Sequence, residues 1–154
     1  MLGLTILLIG WFGFNAGGLS PGDPRFAQTL LSTATAACFG ALPALAFGYA
    51  LDKKIFNPRR TINGLLGGLV CVTACAGFAD TWHAALLGVV GGTVATFASD
   101  WLLTRYSLDD PLDVVAVHGL PGAIGTLSVA VLLPKDQLLG GSWLMQLGLS
   151  LIHI

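Results

Sequence analysis

Long apolar runs, broken only by short turns rich in charge and proline, leave this chain few ways to fold. Residues 2–18, 26–51, 62–78, 84–103 and 114–133 each form such a run, and 138–154 begins another. About twenty apolar residues coiled as a helix match the thickness of a bilayer core. In lipid the backbone must satisfy its own N–H and C=O groups, which a helix does within one segment. The expected fold class is all-α: a polytopic transmembrane helical bundle of about five spans plus a truncated sixth. Only 10% of the 154 residues are charged and 55% are hydrophobic, too few charges to cover a water-facing surface.

The breaks give an orientation. Lys53, Lys54, Arg59, Arg60 and Arg105 fall on one side of the membrane, Arg25 and Lys135 on the other. The positive-inside rule places the first group in the cytoplasm, so the fifth run crosses outward and Trp82 sits at the outer interface. The first run lacks the basic start and small-residue cleavage site of a signal peptide. It reads as a span whose first residues are missing.

Net charge of −1 and the lack of a basic run give no sign of a nucleic-acid partner. Cys38, Cys71 and Cys75 lie inside apolar runs without further metal ligands, so they read as packing residues and no metal or other cofactor is expected. All but one of the 21 glycines also lie inside apolar runs, where small residues let helices approach closely in lipid.

One ionisable side chain, His118, interrupts the fifth run. Such a group in a membrane span is costly and usually marks a path for a substrate, ion or proton. The competing reading is a histidine merely hydrogen-bonded between helices. Nearby, Gly119, Gly122 and Gly125 make a bare stripe for a neighbouring helix, and Pro121 should kink the span. Asp109 and Asp110 before Pro111, with Asp113, have the composition of a helix N-terminus, where carboxylates offset free N–H groups. His83 reads as a solvated loop residue.

Two segments resemble the ammonium transporter family (the Amt/Mep/Rh superfamily). Trp11-Phe12-Gly13-Phe14-Asn15-Ala16-Gly17 is similar to the W-F-G-F-N-A-G of that family's sixth helix. Asp109-Asp110-Pro111-Leu112-Asp113-Val114-Val115-Ala116-Val117-His118-Gly119 is similar to the D-D-P-x-D-V-x-x-V-H-G opening its tenth. Between them, Gly64-Leu65-Leu66-Gly67-Gly68-Leu69-Val70-Cys71-Val72-Thr73 resembles the eighth. The resemblance implies an eleven-helix transporter built as inverted repeats, of which residues 1–148 are the part from helix six to the start of eleven. It further implies a homotrimer in a bacterial inner or plasma membrane, ammonium or ammonia as substrate, and a PII-type protein as candidate regulatory partner.

Carried over by motif, Phe14 resembles one of two stacked pore phenylalanines and His118 the second of two paired pore histidines. Trp11 and Val114 join them along the substrate path. Asp110 and Asp113 match structural carboxylates at the helix mouth. The chain departs from the pattern where Gly18 stands for an outer-site serine, Ala116 for a common glycine, and Pro121 for a small or apolar residue.

The last six residues, 149–154, read as a translated sequencing adapter, so His153 carries no role. The functional expectation is transport of ammonium or ammonia by the complete parent through a histidine-lined apolar pore. The alternative is a non-transporting membrane sensor or interaction module of the same fold. An enzyme ranks last: the nearest acid on the same helix, Asp113, is about 7–8 Å away along the axis, without a nucleophile or metal set.

Overall fold

The computed structural model describes residues 2–52, 56–133 and 142–152. Lys53, Lys54 and Lys135 of the charge tally, the break at 134–137, and His153 and Ile154 lie outside them. Among the described residues every regular element is helical: α1 Leu2–Ala16, α2 Pro24–Leu51, α3 Pro58–Thr73, α4 Thr81–Tyr106, a π-helical turn Val114–Gly119 running into α5 Leu120–Leu132, and α6 Trp143–Ile152.

Three helix starts follow from side chains that the breaks supply. Asp23 accepts the Arg25 N–H at 2.8 Å, Asn57 accepts the Arg59 N–H at 3.1 Å, and Asp80 accepts the His83 N–H at 3.0 Å. Each stands in extended backbone just before the helix, as an N-cap does. Pro24 and Pro58 follow two of these caps, where their missing N–H costs nothing. Hydrogen bonds from the Arg25 side chain and backbone hold the Asp23 carboxyl down at about 2. His83, expected in a solvated link, instead stands in the first turn of α4. Its ring Nδ1 lies 2.9 Å from the Asp80 carboxylate.

The third apolar run differs most from its helix. Capping by Asn57 starts α3 at Pro58, ahead of the apolar run at 62. The helix stops at Thr73, because the chain then tightens: Cys75 N–H donates to Val72 at 2.8 Å and Phe78 N–H to Cys75 at 3.0 Å. By length and composition, three segments are able to cross a membrane: Pro24–Ala50, Thr81–Tyr106 and Val114–Leu132. Leu2–Ala16 and Trp143–Ile152 are shorter apolar helices. The chain is a multi-pass membrane protein.

Helices α2, α3 and α4 pack on one another as the centre of the bundle. Glycines make this possible: a Cβ on Gly40 would lie 2.5 Å from the Gly64 carbonyl oxygen and 2.9 Å from Gly68 Cα. Arg60 closes the same three helices at one end. It donates to Asp52 at 2.8 Å, Asp100 at 2.7 Å and the Thr96 carbonyl at 3.2 Å. The fifth segment lies against α3 and α4, and α1 rests on α2 and α3. Between α1, α3 and α5 lies the site.

Candidate functional site

The bend expected at Pro121 takes the form of a π turn. Pro121 has no N–H to donate and is fully buried in the first turn of α5. Ahead of it the backbone widens, so that the Leu120 N–H reaches back five residues to the Val115 carbonyl. Single π turns in membrane and soluble helices recur at functional positions. His118 sits in this turn with its side chain exposed.

At the mouth of the segment the carboxylates divide their work. Asp110 caps the helix alone, accepting from the N–H groups of Val114 and Val115 at 2.8 Å and of Ala116 at 3.1 Å. Asp113 makes no capping bond, contrary to the expectation from its position. Its backbone is left-handed, φ 53, a conformation aspartate tolerates better than most residues. There it accepts from Arg59 at 3.0 and 2.9 Å and from Asn63 at 2.9 Å, all on α3. Burial pushes the Asp113 carboxyl up, but hydrogen bonds from Ser99, Asn63 and Arg59 outweigh it and hold it below the usual range.

Of the three glycines in the stripe, only Gly125 is demanded by packing. A Cβ there would overlap the Cys71 carbonyl oxygen and stand 3.0 Å from its carbon. At Gly122 it would meet Val70 at 3.5 Å, and at Gly119 nothing closer than 3.8 Å. Ala116, where the family pattern has glycine, is fully buried against Ala98 and Leu102.

A cavity of about 710 Å³ runs between α1, α3 and the fifth segment. Trp11 and Phe14 line it from α1, Val70 and Thr73 from α3, and His118 and Thr126 from the fifth segment. The structure thus brings together Trp11, Phe14 and His118 of the residues singled out in the sequence. Val114 is 53% exposed and stays outside the cavity, as do Asp110 and Asp113. Gly18 and Ser20 are exposed, and a Cβ on Gly18 would stand in open space.

Hydrogen bonds from Trp11 and Asn15 hold α1 against its neighbours. Trp11 Nε1–H donates to Thr73 Oγ1 at 2.9 Å, and Asn15 Nδ2–H donates to Thr33 Oγ1 at 3.0 Å. Thr73 hands its own hydrogen to the Leu69 carbonyl at 2.7 Å, and Thr126 hands its hydrogen to Gly122 at 2.8 Å. The hydroxyl and indole hydrogens of the wall are therefore spent on the protein itself. What remains for a guest are acceptor lone pairs and the His118 ring, which has no partner among the described residues. Sequence reasoning missed Thr73 and Thr126. Thr126 was legible as the residue eight beyond His118, on the same helical face.

The profile of the Ammonium Transporter Family matches residues 1–154. The chain belongs to the ammonium transporter family. It is 35% identical over 132 residues to ammonium transporter Amt2 of Archaeoglobus fulgidus, covering 85% of this chain and 28% of that transporter. It is 32% identical over 131 residues to ammonium transporter MEP2 of Saccharomyces cerevisiae, covering 85% of this chain and 26% of that one. Among solved structures, a sensor Amt protein superposes with TM-score 0.88 at 35% identity, over 98% of this chain and 38% of that one. Saccharomyces cerevisiae Mep2 superposes with TM-score 0.85 at 27% identity, over 98% of this chain and 36% of that one. The chain spans between about a quarter and two fifths of the length of these proteins.

Proposed function

We propose that the complete protein carries ammonium across a cell membrane, a bacterial inner or plasma membrane, with nitrogen passing this cavity as neutral ammonia. The observation that carries the reading is a nearly apolar wall with His118 as its one titratable side chain. An ammonium ion stripped of water in such surroundings is too costly to pass intact. Histidine accepts and returns a proton near neutral pH, which lets the charge part from the nitrogen. Phe14 offers an aromatic face toward the approaching cation, worth up to about 2 kcal/mol once water is excluded. Helices beyond this chain close the groove on its open side, and three copies assemble as a homotrimer. A PII-type protein is the candidate regulator.

Methylammonium uptake by the full-length parent tests the role of His118. His118→Ala should lower uptake or change the preference between ammonium and methylammonium. Unchanged uptake with unchanged preference removes His118 from the path.

The second reading is a membrane sensor without flux, and the likeness to a sensor Amt protein favours it. Direct flux measurement in proteoliposomes separates the two: a sensor binds ammonium but carries no net current or uptake.

A further inference from the structure

We infer that Thr126 is a substrate-contacting residue that sets the preference for ammonium nitrogen over its methylated analogue. The inference rests on the transport reading above and adds a second polar station to it. Thr126 lines the same cavity as His118 and Gly122, and the spacing of four residues puts all three on one helical face. It stands roughly 12 Å beyond His118 along the axis, at 1.5 Å per residue. The charge tally places that direction outward.

The hydroxyl is committed in a particular way. Its hydrogen goes to the Gly122 carbonyl at 2.8 Å, so the group has only lone pairs to offer a guest. Thr73 is less free, since the Trp11 indole already occupies one of its lone pairs at 2.9 Å. Thr126 is thus the least engaged hydroxyl acceptor on the wall. Much of the remaining lining, Ile6, Leu7 and Val70 among it, is hydrocarbon. A guest with N–H groups on every side loses hydrogen bonds to water there and regains one at Thr126. Ammonia presents an N–H to the lone pair in almost any orientation, whereas methylamine has one N–H fewer and forfeits the bond whenever its methyl group faces Thr126. The hydroxyl therefore favours the unsubstituted molecule.

A threonine that bonds only to the carbonyl four residues back is also an ordinary way to satisfy a hydroxyl in a helix, and substitution separates the two roles. In the full-length parent, methylammonium uptake is measured with ammonium as competitor for Thr126→Val, Thr126→Ala and Thr126→Ser. Both variants without the hydroxyl should raise the ammonium concentration needed for half-inhibition about three- to tenfold, despite their different volumes. Thr126→Ser should stay within about twofold of the parent, because it keeps the acceptor.

Unchanged inhibition in the Val or Ala variant overturns the inference and leaves the transport reading standing. An effect that follows side-chain volume, with Ser behaving like Ala, overturns it as well. So does loss of the Val and Ala proteins from the membrane while Ser accumulates normally, since the hydroxyl then serves folding. A parent that takes up no methylammonium fails the transport reading itself, and this inference with it.

Discussion

Arg59 grips Asp113 with two hydrogen bonds, 3.0 Å from Nε and 2.9 Å from Nη2, and so ties the start of α3 to the mouth of the fifth segment. The pair joins residues 54 apart in the chain. The arginine side chain is 62% exposed while the aspartate is 8% exposed. Water screens the attraction from the exposed side. The consequence of breaking the pair therefore falls on the buried carboxylate.

Arg59→Ala should destabilise the protein by about 1–3 kcal/mol, because Asp113 keeps its charge and loses two donors. Arg59→Lys should recover only part of this, since an ammonium cannot grip both oxygens as a planar fork does. Thermal unfolding of the detergent-purified full-length parent measures both. A lysine variant as stable as the parent would show that charge alone, without the fork, is enough.

The same carboxylate gives a pH dependence of known sign. Its folded pKa lies below the unfolded value of about 3.9. Its contribution is thus complete above that unfolded value and disappears as pH falls through the folded one. Unfolding temperature should drop more steeply in the parent than in Asp113→Asn as pH falls below about 4. Parallel curves for the two proteins would remove Asp113 from the acid response.

Asp110 and Asp109 are neighbours with opposite prospects. Asp110→Ala leaves three backbone N–H groups at the head of the π turn without their acceptor, a loss of about 1–2 kcal/mol. Asp109 is exposed and no side-chain hydrogen bond is seen for it, so Asp109→Ala should stay within about 0.5 kcal/mol of the parent. Chemical denaturation of the two variants side by side checks the contrast.

Glycines 119 and 125 predict a second contrast. Gly125→Ala drives a methyl group into the Cys71 backbone and should cost about 1–3 kcal/mol or block assembly. Gly119→Ala meets nothing closer than 3.8 Å and should be tolerated, with helix propensity slightly in its favour. Yield of folded protein after membrane extraction distinguishes them. Equal yields would mean that α3 and α5 do not approach as closely as described.

Much of this architecture could be read from the chain alone, because lipid leaves so few options. A run of apolar residues between charged turns must coil on itself, whatever its neighbours do. Hence the all-helical class, the multi-pass character and the approximate position of most helices were legible before any packing was known. Motif spacing likewise pointed to Trp11, Phe14 and His118, which meet in one cavity. Boundaries were less legible. Asn57 and Asp80 start α3 and α4 by bonds within three residues, yet the third run was expected to begin later, where polar residues give way to apolar ones.

Only the tertiary structure could assign what depends on residues far apart in the chain. Asp110 and Asp113 look interchangeable in sequence, but one faces its own helix end and the other faces Arg59 and Asn63 across the bundle. Gly119 and Gly125 look equivalent in the stripe, but only one meets the Cys71 backbone. Thr73 is silent in sequence and Thr126 shows there only a shared helical face with His118, since a hydroxyl gains meaning from what it faces and where its hydrogen goes. Periodicity and the demands of lipid are local and act on each segment by itself. Partner choice for a carboxylate, a glycine or a hydroxyl is decided when the helices meet, because distance across the bundle bears no relation to distance along the chain.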